Sequence, residues 1–125
     1  MNQLVLITSA FLGVSSIILG AFGAHALKKI LEPERISSFE VGIRYQMYAA
    51  LTLLVLGLNL NFENNLEIWA FYSIIWGTIL FSGSIYLLSF KDIWKIKLNF
   101  LGPITPVGGL FMIIGWILLL ISFCN

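Results

Sequence analysis

Four long apolar runs, at about residues 4–27, 40–60, 68–90 and 104–123, constrain this chain more than any other feature. At ~1.5 Å per residue, about 20 residues cross a hydrocarbon core of ~30 Å. Each run is long enough to do so. No charge stands between Met1 and Ala24. Charged residues make up 10% of the chain and hydrophobic ones 59%, where a soluble domain carries roughly 25% charged. So few charges cannot cover a water-facing surface, and the same balance excludes disorder. Since only helices and closed barrels span lipid, the expectation is an all-α integral membrane four-helix bundle forming one domain over residues 1–125.

A cleaved leader is the competing reading of the first run, because Ala24-His25-Ala26 has the small-x-small form. Met1-Asn2-Gln3 lacks the basic residues of such a leader, and the run exceeds its ~7–15 apolar residues. A retained helix is expected. Its Ser9, Gly13, Ser16, Gly20 and Ala24, with Gly23, recur every three or four residues. Small residues at that spacing allow close backbone approach. Gly13, Gly20, Gly23 and Ala24 are therefore candidate helix-packing positions, as are Gly108 and Gly109 in the last run.

Between the first two runs lies a basic linker with Pro33. Ser37-Ser38-Phe39-Glu40 has the form of a capping box, and Glu40 and Arg44 stand at a favourable i, i+4 spacing. Asn59, Asn61, Asn64 and Asn65 mark a polar turn. Trp69, Tyr72 and Trp76 open the third run at interface depth. Thr105 followed by Pro106 reads as a helix start. A parallel repeat of two hairpins is one reading of the two small-residue faces, although any bundle with basic loops on one side shows the same pattern.

Charge placement predicts orientation. Lys28, Lys29, Arg35 and Arg44 flank the first loop, and Lys91, Lys95 and Lys97 the third. The other loop and both ends have none. The positive-inside rule puts the two basic loops in the cytoplasm and both termini outside. So strong a bias excludes insertion both ways up. The setting expected is a bacterial cytoplasmic membrane.

Several function classes fall. No basic face suits nucleic acid. Cys124 is the only cysteine, so neither a Cys/His metal set nor any other cofactor is expected. No Ser/His/Asp arrangement is present, and no ionisable residue lies mid-span as proton-coupled transport requires. Candidate chemistry gathers at the first hairpin. His25, the only histidine and so the one side-chain type here suited to proton handling, is expected either to tie the first two helices through Tyr45, Tyr48 or Gln46, or to meet a ligand. Arg44 suits a phosphate or carboxylate and also suits snorkelling to headgroups. Tyr48 shares its helix face and Gln46 points elsewhere. The Gly102–Gly109 stretch reads as a close-packed helix start or as an anion site weakened by Pro103 and Pro106.

The stretches Gly20-Ala21-Phe22-Gly23-Ala24-His25, Phe39, Arg44-Tyr45-Gln46-Met47-Tyr48, Gly83-Ser84 and Leu101-Gly102-Pro103-Ile104-Thr105-Pro106-Val107-Gly108-Gly109 resemble the small four-span membrane family called domain of unknown function 423. The resemblance covers essentially the whole chain. It implies a compact membrane bundle and carries no reaction. Members of that family often have His after the second tyrosine of the RYQMY motif, where this chain has Ala49.

The reading is a non-enzymatic accessory protein. Its polar cytoplasmic corner of His25, Arg44, Gln46 and Tyr48 engages membrane lipids or a partner. The partner is a second copy or another membrane protein. The alternative is an oligomeric channel or uncoupled facilitator for a small solute.

Overall fold

A computed structural model describes residues 1–95 and 97–125. Five α-helices follow in order: α1 (Asn2–His25), α2 (Pro33–Asn59), α3 (Asn65–Ser89), the single turn α4 (Lys91–Trp94) and α5 (Ile104–Cys124). Short 3-10 turns at Leu27–Lys29 and Asn99–Leu101 complete the two loops at one end. α1, α2, α3 and α5 are long and apolar enough to cross a membrane. Their outward faces carry large apolar side chains such as Ile7, Phe11, Ile17, Trp69, Ile113 and Leu120. Exposure on that scale suits hydrocarbon and not water.

The spanning helices pack as a row. α3 and α5 make the most extensive contact, α1 and α2 the next, and α2 and α3 join the two pairs, whereas α2 and α5 do not pack extensively. Lipid removes the hydrophobic drive between helices, so close packing and hydrogen bonds must hold the row together. At the α3–α5 seam a Cβ on Gly108 would overlap the Phe81 backbone nitrogen, and one on Gly77 would lie 2.7 Å from the Met112 nitrogen. The two backbones touch there because neither position has a side chain. On the α1–α2 seam Ser9 Oγ donates to the Ala50 carbonyl at 2.8 Å, and Asn2 Nδ2 donates to the carbonyls of Gly57, at 3.1 Å, and Leu60. On the α2–α3 seam Ser82 Oγ donates to the Gly42 carbonyl at 2.7 Å. One core cluster joins Val5, Leu53, Ile74 and Leu119 from all four helices, and a smaller one joins Leu27, Leu31 and Phe39 at the basic end.

Two start signals work differently from expectation. α2 begins at Pro33, with Glu32 as a cap residue in extended conformation, so Ser37–Glu40 lie inside the helix and not at its cap. Proline at the first helical position is preorganised for that role, and it supersedes the serine. α5 begins at Ile104, with Pro103 before it. The Thr105 hydroxyl instead pairs with Ser84 Oγ across the α3–α5 seam at 2.5 Å.

Helix α2, with 27 residues, is about 40 Å long, roughly 10 Å more than a hydrocarbon core. Asn2 binds α2 at its Asn59 end, so that end is level with the start of α1. The surplus therefore projects at the Pro33 end, where Glu34, Arg35 and Glu40 stand. This register places the site.

Candidate functional site

The buried side of α2 carries Phe39, Gly42, Gln46, Ala49, Ala50 and Leu53. At ~3.6 residues per turn, Arg44 lies roughly opposite that side. It is exposed, on an outward ridge of the helix. Fifteen positions separate it from Asn59, about 22 Å. A ~30 Å hydrocarbon slab with its edge at Asn59 would put the Arg44 Cα about 8 Å inside, and the long stem would then carry the guanidinium toward the headgroups.

A cleft opens on each side of this ridge. Toward α1 lies a cavity of about 210 Å³ walled by Gly20, Gly23, Leu27, Phe39 and Ile43, with Glu40 and Arg44 as its charged lining. Toward α5 lies a groove of about 850 Å³ between Tyr45, Tyr48 and Thr52 of α2 and Gly109, Met112, Trp116 and Leu120 of α5, floored by Ile74 and Phe81 of α3. The groove exists because α2 and α5 stand apart on either side of α3. Phe81 fixes the level of its upper end. The Tyr45 ring lies 4.9 Å from the Phe81 ring, and a Cβ on Gly109 would meet Phe81 Cδ2 at 3.7 Å. Tyr45 and Tyr48 also meet edge-on at 5.6 Å.

Among the described residues, the one ion pair joins Arg35 to Asp92 at 3.2 Å, tying the first turn of α2 to α4. Arg44 has no carboxylate within salt-bridge distance among the described residues, and Glu40 one turn away does not reach it. A guanidinium on a lipid-facing wall with no protein counter-ion is an open position for an anion.

Gln46 does the tying that was considered for His25. Its Nε2 donates to the Leu12 carbonyl at 3.1 Å and to Ser15 Oγ at 2.7 Å, and its Oε1 accepts from Tyr86 Oη at 2.7 Å. One side chain thereby joins α1, α2 and α3. Because the Leu12 carbonyl also receives Ser15 Oγ at 3.2 Å, the i−4 acceptor that Ser16 would use is already taken. The Ser16 hydroxyl is buried and has no hydrogen-bond partner among the described residues.

The four corner residues are not brought together. His25, the last residue of α1, is exposed and makes no hydrogen bond among the described residues. Gly23 packs on Phe39, so His25 is level with about residue 37 of α2, roughly 10 Å along the axis from Arg44. Gln46 faces inward, and Tyr48 lies one turn from Arg44 on the same outward side. Of the candidate packing positions, Gly108 is at the tightest seam and Gly109 makes an ordinary contact with Phe81. A Cβ on Gly20 would lie 3.8 Å from Ile43 and one on Gly23 3.1 Å from Phe39. Gly13 has open space beside it and Ala24 is exposed. Gly42, Gly57, Gly77 and Gly115 make closer approaches than Gly13 or Gly20.

The model of the family described as a protein of unknown function, DUF423, matches residues 19–109 of this chain. The chain belongs to the DUF423 family. A UPF0382 membrane protein of Staphylococcus haemolyticus is 38% identical over 120 residues, covering 96% of this chain and 94% of that protein. The UPF0382 inner membrane protein YgdD of Escherichia coli K12 is 35% identical over 126 residues, covering 97% and 89% respectively. No solved structure matches. This DUF423 chain is accordingly a membrane protein with four apolar helices, as its sequence implied. The matched segment contains the whole of α2, with its Arg44 ridge, and ends at the Gly109 that opens the groove.

Proposed function

We propose that this protein is a non-enzymatic, lipid-engaging component of the bacterial cytoplasmic membrane, in which Arg44 holds the phosphate of an anionic lipid. The observation that carries the reading is the exposed, outward Arg44 about 22 Å along α2 from Asn59, with a cleft on either side of its ridge and no protein counter-ion among the described residues; a ~30 Å slab with its edge at Asn59 would put its Cα about 8 Å inside. An unpaired Arg within a spanning segment is costly, by about 2.5–3.5 kcal/mol or more at the helix centre and less nearer the edge. A phosphate drawn down to the ridge relieves that cost, and the planar fork accepts two of its oxygens at once. The seven cationic residues all stand at or toward the Pro33 end of α2, so the ridge opens to the cytoplasmic leaflet and both termini face outward.

Native mass spectrometry of protein released gently from its own membrane tests this. A single anionic lipid is expected to remain on the wild type. It should be lost in Arg44→Ala, partly kept in Arg44→Lys, and kept in His25→Ala, since His25 stands two turns away. Equal retention by the wild type and Arg44→Ala would remove the ridge as a headgroup site. A ring-shaped oligomer without specific lipid would support a solute pore instead.

A further inference from the structure

The loop between α3 and α5 is held at the level of the lipid headgroups. Glu67 stands in the first turn of α3 and Asp92 in α4, just past the far end of that helix. Carboxylates stay out of hydrocarbon. The chain between them rises at most about 37 Å, so a core of ~30 Å fits with about 7 Å to spare. Any tilt of α3 shortens that margin. Headgroups extend about 5–7 Å beyond the core on each side. The turn α4 therefore stands among them.

One side of this loop is pinned to the bundle. Phe90 packs edge-on against Phe39 of α2, and Asp92 pairs with Arg35 at 3.2 Å. Lys91 Nζ donates to Asn99 Oδ1 at 2.8 Å, which brings the Asn99–Leu101 turn back beside α4. The outward remainder is apolar and basic. Ile93, Trp94 and Phe100 are exposed, and Trp94 is steadied by stacking on Phe90 at 5.2 Å. Lys95 and Lys97 are exposed, with no carboxylate within salt-bridge distance among the described residues. Tryptophan suits the boundary between chains and headgroups, and a lysine stem reaches from there to phosphate.

We infer that the α3–α5 loop is a second lipid-contacting element, lying along the cytoplasmic leaflet. Ile93, Trp94 and Phe100 seat at the top of the acyl chains, and Lys95 and Lys97 take the phosphates of anionic lipids. Depth and charge together select this occupant: the apolar side chains stand where headgroups end, and the cations beside them match an anionic leaflet. The inference is independent of whether Arg44 holds a phosphate. One lysine at an anionic surface is worth about five-fold in association, so enrichment of anionic over zwitterionic lipid at the loop is expected to be about five-fold or more.

The test uses a chain in which Trp94 is the only tryptophan, made by Trp69→Phe, Trp76→Phe and Trp116→Phe at exposed positions. It is placed in vesicles of equimolar phosphatidylcholine and phosphatidylglycerol, one of them brominated. Bromines high on the acyl chain should quench Trp94 more than bromines near its end, and aqueous acrylamide should quench it little. Brominated phosphatidylglycerol should quench as though enriched about five-fold over phosphatidylcholine. Lys95→Gln together with Lys97→Gln should abolish that enrichment and keep the depth profile, and Arg44→Ala should change neither. If the triple replacement does not fold, a nitroxide on Phe100→Cys in a Cys124→Ser chain reads the same depth, by its accessibility to oxygen against an aqueous nickel complex. Quenching by acrylamide and by neither brominated lipid overturns the inference and marks the face as one for a soluble partner. Equal quenching by the two lipids, or enrichment that survives the double lysine variant or is lost in Arg44→Ala, overturns the lysines as its source.

Discussion

Replacing Gln46 by Leu removes the amide that joins three helices and leaves the volume of the site nearly unchanged. Three hydrogen bonds disappear: to the Leu12 carbonyl, to Ser15 Oγ and from Tyr86 Oη. Side-chain hydrogen bonds between membrane helices average about 0.6 kcal/mol and reach about 1.7. The expected loss is therefore about 2 kcal/mol, with a ceiling near 5. The partners fare differently. Ser15 retains its 2.7 Å bond to the Phe11 carbonyl, whereas Tyr86 loses its bond to Gln46. Tyr86→Phe deletes that hydroxyl and keeps the ring against Phe39, 5.0 Å away. The double variant should then be more stable than the sum of the two losses implies, by about 0.6–1.7 kcal/mol. Reversible unfolding in mixed micelles of increasing denaturing detergent, run as a four-protein cycle, measures this coupling. A coupling near zero, or Gln46→Leu within about 0.5 kcal/mol of wild type, would refute the view that this network joins the two helical hairpins.

Three further substitutions separate close packing from exposure and buried polarity. Gly108→Ala sets a methyl against the Phe81 backbone and should cost about 1–3 kcal/mol or more, whereas Gly13→Ala meets open space and should be neutral or slightly stabilising through helix propensity; thermal unfolding in one detergent compares them. Ser16→Ala removes a buried hydroxyl that has no partner among the described residues and should stabilise by about 1 kcal/mol or more, which a rise in unfolding midpoint would register and a fall would contradict.

The number of helices long and apolar enough to span was legible because lipid imposes a minimum length on any apolar run that crosses it. The basic loops were equally legible as a common end. Pairing was less so. The buried side of α1 carries Ser9, Ser16 and Gly23 of the stripe together with Val5 and Leu12, whereas Gly13 has open space beside it. Spacing alone leaves the centre of such a stripe uncertain by a fraction of a turn. Gln46 was visible as an isolated amide within an apolar run. Its partner Tyr86 lies forty residues away on another helix, and nothing local marks that tyrosine. The groove was invisible because it follows from α2 and α5 failing to pack, and four similar apolar runs do not say which pairs will meet. The depth of Arg44 emerged only when the α1–α2 register was known. The start of α2 at Pro33 was obscured by the serine signal at 37, although proline is well suited to the first helical position.

The proposed lipid-engaging role requires the Arg44 guanidinium to lie against lipid phosphate. Arg35 and Arg44 are the only arginines, so Arg35→Lys with ¹³C-guanidino-arginine labelling isolates one carbon. Dephasing of that carbon by lipid ³¹P, in solid-state magnetic resonance of the protein in its native lipids, reads their proximity directly. Strong dephasing is expected, as for a guanidinium in direct contact with phosphate, and it should persist when bulk lipid is diluted with phosphate-free lipid. A signal that is absent, or that falls in proportion to bulk phosphate, would contradict a held headgroup and leave Arg44 as a side chain that only snorkels to water.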